Sequence, residues 1–227
     1  MIGLQNVTGD RTEMTRNGDK TQVRNGDRRR NDILNAAAQA FMERGYGGTK
    51  IDDIAELLGG TKGLIYHHFQ NKTELFFEVH FHAMRTNIAA IEPIANGNGT
   101  ATERLREMVH LHVASIFERL AFQRVSIMGI EMTVSGTTTV RERAMLDELL
   151  KLFDAFEALY VQVIRDGVKS GEFVRGDART LAKPLLGALN WMVMWYRPRP
   201  SEGVMAQQQL TREMSDFVLR GLGVAEP

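Results

Sequence analysis

The side chains best suited to meet an anionic partner lie between Lys50 and Phe69, in the stretch KIDDIAELLGGTKGLIYHHF. Thr61, Lys62, Gly63, Tyr66 and His67 put a hydroxyl, an ammonium, a phenol and an imidazole within seven residues. Such groups suit phosphate oxygens and base edges, and Gly63 permits close backbone approach. Lys50 opens the stretch, Thr49 and Lys72 flank it, and Arg28, Arg29 and Arg30 precede it. Catalytic groupings are not in view. The chain has no cysteine, no Gly-rich phosphate loop, no H-E-x-x-H and no nucleophile elbow. His67, His68, His80 and His82 invite a metal reading. His80 and His82 are two apart and cannot share a helix face, and no regular zinc-ligand spacing occurs. Neither a metal nor a cofactor is expected, and the chain does not read as an enzyme.

Groups of this kind act only if rigid elements hold them. Ile51, Ile54, Ala55 and Leu58 recur at three- and four-residue intervals, as one face of a short helix does. Thr49 is placed to cap it, with Asp52 in the capping-box position, and Gly59-Gly60 ends it. A second helix follows from about 62 to 68, its residues Leu64, Ile65, His68 and Phe69 divided between core and surface. An earlier helix is expected from about Asn31 to Arg44, with Ile33, Leu34, Ala37, Ala40 and Phe41 as its stripe and Gly45 as its terminator. Helix, tight turn, helix is the layout whose second member enters the major groove of DNA. A plain pair of core helices with a glycine corner has the same local pattern.

The residues also carry a resemblance. Phe41, Gly45, Tyr46 and Thr49 match F-x-x-x-G-Y-x-x-T, and Ile54, Ala55 and Gly59 match I-A-x-x-x-G. Gly63, Tyr66, Phe69, Lys72 and Leu75 match G-x-x-Y-x-x-F-x-x-K-x-x-L. From about Arg29 to Val79 the chain closely resembles the N-terminal signature of the TetR family of transcriptional regulators, departing from it in having Gly60 where Val or Ala is usual. The resemblance implies an all-α fold, with a three-helix, helix-turn-helix DNA-binding domain joined to a larger helical domain for ligand binding and dimerisation. It also implies operator DNA as partner and a homodimer through the last two long helices.

Composition sets outer bounds. With 227 residues and 43% hydrophobic content, the chain can bury a substantial core. Its net charge is zero, and residues 1–87 hold 12 Lys/Arg against 11 Asp/Glu. DNA contact therefore needs local cations and not a basic domain. No secretory or membrane-length apolar run occurs, which leads us to expect a cytoplasmic protein with no membrane partner. Residues 1–28 are polar and aperiodic, and a disordered tail is expected, either an arm along DNA or a solvated leader. The expected divisions are 1–28, 29–74 for the DNA-binding domain and 75–227 for the remainder.

Downstream, helices are expected at about 72–92, broken by Pro93 and Asn96–Gly99, then from Thr100 to Leu120 and from Phe122 to Val134. A polar loop at 135–139 precedes helices over about 140–170, 177–196 and 203–222. Met108, Phe122, Met128, Phe153, Phe156, Tyr160, Trp191 and Trp195 are candidates to line an apolar ligand cavity, although most such side chains in a body of this size are core. Arg124, Arg179, Lys183 and Arg197 are the cations a phosphorylated ligand would need. The run Leu189–Pro200, LNWMVMWYRPRP, resembles the C-terminal part of a TetR subgroup responsive to acyl-CoA thioesters. An effector that is lipophilic or an acyl-CoA is thereby implied, released repression being the expected mechanism; a multidrug-efflux repressor is the alternative.

Overall fold

A computed structural model describes residues 11–134, 139–199 and 202–224, with side chains described from Gly26 onward except over 128–134. Among these residues the chain is all α-helical. The order is α1 (Arg11–Gly48), α2 (Ile51–Leu58), α3 (Lys62–His68), α4 (Lys72–Ala95), α5 (Ala101–Glu118), α6 (Leu120–Val134), α7 (Val140–Ser170), α8 (Ala178–Trp195) and α9 (Val204–Gly221).

Helix α1 starts at Arg11, 20 residues before the expected Asn31. Residues 11–28 of the expected tail lie within this helix, while residues 1–10 lie outside the described residues. Extending an existing helix adds one hydrogen bond per residue without a new nucleus, so a polar, aperiodic segment can continue one that the core has already fixed. At the other end, Gly45 takes φ 68, the left-handed value that makes it the break point of the apolar stripe. Helix α4 runs three residues past Glu92, to Ala95, and carries Pro93 inside its last turn. Helix α5 stops at Glu118, where Arg119 (φ −135, ψ 41) separates it from α6. The expected loop at 135–138 lies outside the described residues. Thr139 caps α7, accepting from the amide of Glu142 at 3.2 Å.

Two hydrophobic cores result, and α4 contributes to both. The first gathers Ile33, Leu34, Phe41, Ile54, Ile65 and Phe76 from α1 to α4, with Phe122 and Val125 added from α6. The second holds Met108, Ile116, Tyr160, Ile164, Leu189 and Val218 from α5 and α7 to α9, with Phe81 and Ile91 from α4. In the second core Gly167 of α7 makes room for a ring: a Cβ there would stand 2.2 Å from Cδ2 of Phe173 and would force a shift. Within α8, Leu185, Leu189, Met192 and Val193 face that core, while Pro184, Gly187, Trp191, Met194 and Trp195 face outward. No described helix is long and apolar enough to cross a membrane.

Candidate nucleic-acid interface and effector cavity

The turn between α2 and α3 is closed by Gly59, whose φ of 64 lets the amide of Gly60 reach the carbonyl of Ala55 at 2.9 Å. Behind it, an aromatic cluster fixes the assembly. Phe41 meets Phe76 edge-on at 5.2 Å, Tyr46 lies 4.8 Å from Phe76, and the Tyr46 hydroxyl bonds Oγ1 of Thr73 at 2.8 Å.

This packing corrects the expected cap of α2 and engages three of the candidate side chains. Thr49 is not the cap of α2; it is 1% exposed, and its hydroxyl lies 2.7 Å from the carbonyl of Gly45 and 3.1 Å from that of Ala40. The chain reversal after Gly45 turns it inward, so it is not free for phosphate. Lys50 takes the cap position, and Asp53, not Asp52, accepts its amide at 2.7 Å. That bond, followed by the Arg44 guanidinium, holds the Asp53 carboxyl below its ordinary range. Lys72 is engaged as well: its ammonium donates to the carbonyls of Tyr46 and Thr49, each at 2.9 Å, and stands 4.4 Å over the Tyr46 ring. Arg30 pairs with Glu78 and lies 5.0 Å over the Phe69 ring, joining α1 to α4. Arg28 and Arg29 are exposed.

On α3, Ile65 is fully buried and Phe69 nearly so, while Thr61, Lys62, Gly63, Tyr66 and His67 are exposed. Positions 62, 63, 66 and 67 share one helix face, so the buried Ile65 anchors the helix and the polar candidates project from it. Lys62 is held loosely, 3.6 Å from Asp52, with both side chains mostly in solvent. His68 is half-buried, and burial followed by the His67 charge lowers its pKa.

Farther along α4, a cavity of about 90 Å³ opens between α4, α5 and α7, lined by Asn87, Ile91, His112, Ser115, Arg119 and Phe156 among others. Its polar wall is wired. Asn87 and Gln123 exchange amide hydrogen bonds at 3.1 and 2.9 Å, and Gln123 also donates to Ser115 at 3.2 Å. His112 bonds the Tyr160 hydroxyl at 3.1 Å, and that hydroxyl donates to the Met108 carbonyl at 3.4 Å. Burial pushes His112 down to about 4 and the Tyr160 phenol up, so both stay neutral. Sequence reasoning misses Asn87, Gln123, His112 and Ser115. The available signal is polar residues recurring inside apolar helical stripes.

Of the sequence candidates for this cavity, Phe156 lines it, Tyr160 stands behind His112 and Phe153 packs half-buried on the adjoining core. The others are elsewhere. Met108 is fully buried core, and Phe122 belongs to the first core. Trp191 and Trp195 are 63% and 46% exposed on the outer face of α8, since apolar character alone does not say whether a residue faces a core or a partner. Arg124 donates to the carbonyls of Val193 and Tyr196, and Lys183 pairs with Glu157 at 2.6 Å. Arg179 is exposed in the first turn of α8, and Arg197 donates to the carbonyls of Met194 and Tyr196. Met128 lies among the side chains outside the described residues. A second, open groove of about 430 Å³ runs between α5 and α9, past His110, Phe117, Gln207 and Thr211. Among the described residues no group of three or more His, Asp or Glu is placed to hold a metal.

Comparison with known proteins accounts for both halves of this architecture. Residues 33–79 match the family model for bacterial regulatory proteins of the tetR family, and residues 98–222 match that of the tetracyclin repressor-like C-terminal domain. The chain is 26% identical over 195 residues to the HTH-type transcriptional repressor KstR2 of Mycolicibacterium smegmatis, covering 86% of this chain and 90% of the relative. It superposes on the TetR family transcriptional regulator PfmR from Thermus thermophilus with a TM-score of 0.70 and 31% identity, covering 84% of this chain and 98% of that one. The ketosteroid transcriptional regulator KstR2 of Mycobacterium tuberculosis shares the fold, with a TM-score of 0.73 at 24% identity over 87% and 96% of the two chains. The chain belongs to the TetR family of bacterial DNA-binding transcriptional regulators.

Proposed function

We propose that this regulator is a repressor that binds a palindromic operator as a homodimer and leaves it when a lipophilic effector enters the α4–α5–α7 cavity. In this reading residues 29–74 are the DNA-binding domain and 75–227 the effector and dimerisation domain. One observation carries it. Helix α4 supplies Asn87 and Ile91 to the cavity wall and Leu75, Phe76 and Val79 to the core beneath α3. A change at the cavity therefore reaches the recognition helix through one rigid element.

On the DNA side, Thr61, Lys62, Gly63, Tyr66 and His67 of α3 enter the major groove, with Lys50, Arg28 and Arg29 on flanking phosphates. Dimerisation uses α8 and α9, whose outer faces carry Trp191, Met194, Trp195, Met205 and Phe217 at 36% exposure or more. So many large apolar groups in solvent call for a partner surface.

The cavity's 90 Å³ is far below the roughly 300–1,000 Å³ of a site for a drug-sized ligand. An effector must therefore favour an expanded state that the free protein populates little, and that difference in affinity is what drives release. The cation among the lining residues is Arg119, 3.8 Å from Glu118; released from that exposed pair it suits the acidic end of a fatty acyl compound or the phosphates of an acyl-CoA. A second reading, repression of a multidrug-efflux system, is favoured by Glu118 and Phe156 lining the same cavity, a carboxylate and an aromatic ring that suit aromatic cations. Release of the operator-bound protein separates the two. Long-chain acyl-CoAs and free lipophiles should displace it at micromolar concentration. Displacement by planar cations alone would leave the second reading in place, and no displacement by any of these would refute ligand entry here.

A further inference from the structure

Helix α6 touches three parts of the molecule within two turns. Phe122 and Val125 are 4% exposed and complete the core of the DNA-binding head. Gln123 bonds Asn87 and Ser115 on the cavity wall. Arg124 crosses to α8, donating from Nε to the Val193 carbonyl at 2.9 Å and from Nη2 to the Tyr196 carbonyl at 2.7 Å, while Nη1 lies 3.7 Å from Sδ of Met42 in α1.

The last carbonyls of a helix have no partner within it and carry partial negative charge. Arg124 meets two at the end of α8 with a planar fork that no other side chain supplies. Its backbone belongs to a helix whose neighbouring side chains are buried in the head. The guanidinium thus fastens the head to the end of α8.

We propose that Arg124 is a positioning residue that sets the separation of the two DNA-binding heads, and so the operator spacing that the dimer accepts. The inference rests on dimerisation through α8 and α9. If α8 is the fixed element at the dimer axis, the angle of each head depends on how tightly α6 is tied to it. Gln123, one residue away, is held by the cavity wall, so the turn that fastens the head is also the turn an effector disturbs.

The absence of native cysteines makes the test direct. Glu56 is exposed on α2, and Glu56→Cys in the full chain accepts one spin label per head. Pulsed dipolar spectroscopy then reads the head-to-head distance. The otherwise unmutated protein should give one narrow distribution. Arg124→Met should widen it at least twofold while light scattering still reports a dimer. Arg124→Lys, which keeps the charge and reaches one carbonyl, should lie between them and serves if the Met variant fails to fold.

On DNA, Arg124→Met should bind the preferred operator about tenfold more weakly, bind a single half-site as well as the parent does, and discriminate less among half-site spacings. A dimer with unchanged distances overturns the clamp alone. A half-site loss as large as the operator loss also overturns it, because the damage then lies in the head. A monomeric unmutated chain removes the dimer reading and this inference together.

Discussion

Replacing Lys62 by Ala tests the recognition surface with little interference from folding. Its ammonium lies 3.6 Å from Asp52, and the two side chains are 65% and 72% exposed. An ion pair so solvated contributes roughly 0–1 kcal/mol, so the variant should unfold within a few degrees of the parent. Its effect on DNA should be much larger. Each phosphate neutralised steepens the fall of log affinity with log salt by about 0.9, and a dimer presents Lys62 twice, so the slope should flatten by about 1.8. Between roughly 50 and 200 mM salt, a fourfold change, the affinity gap between parent and variant should shrink about tenfold. Fluorescence anisotropy on a labelled operator duplex measures this. Asp52→Asn is the companion: it frees Lys62 and removes a negative group from the same face, and should tighten binding at low salt. An unchanged slope for Lys62→Ala would refute the phosphate contact, whatever the change in affinity at one salt concentration.

Other outcomes follow from single contacts. Trp191→Glu places a charge on the outer face of α8, where the indole is 63% exposed; the chain should fold and sediment as a monomer, and a dimer of unchanged strength would exclude this face from the interface. Gly167→Ala forces a methyl to 2.2 Å from the Phe173 ring and should cost about 1–3 kcal/mol, lowering Tm by several degrees in a thermal melt. His80 and His112 are each pushed by burial down to about 4. Both are neutral when folded, whereas the unfolded chain takes up protons below about pH 6.5, so stability is full above that pH and falls until about pH 4. The loss approaches about 3 kcal/mol per histidine. Denaturant melts across this window should show the decline, and a His80→Gln variant that declines as steeply as the parent would show that His80 does not contribute.

The helices of the head are legible in the sequence because their stripes are local. Ile51, Ile54, Ala55 and Leu58 announce α2, and Gly59 announces its end. Thr49 is easily misread because its hydroxyl answers the carbonyl of Ala40, nine residues away, across a chain reversal. No spacing rule encodes that contact. The tertiary partners of Lys72 and Arg30 are equally invisible to spacing: the carbonyls of Tyr46 and Thr49 for one, Glu78 for the other.

In the body, helix positions follow from caps and periodicity, but the use of each helix does not. Trp191 and Trp195 are apolar enough for a cavity wall, and only packing shows that the face of α8 opposite them is the one turned to the core. Arg124 reads locally as a cation waiting for a phosphate, yet its acceptors are carbonyls about 70 positions later in the chain. The cavity's polar wall holds Asn87 and Ser115, and Gln123 from a third helix bonds both, a grouping that exists only after folding.

Selection of duplexes from a random library by the full-length protein tests the central claim most directly, when paired with the mass of the selected complex. The expected product is an inverted repeat with half-site centres about one helical turn apart, or a multiple of it, occupied by two protomers. Enrichment should be lost when Tyr66 and His67 are both replaced by Ala. Recovery of no sequence above the random background, or of a single unrepeated site bound by one protomer, would contradict it.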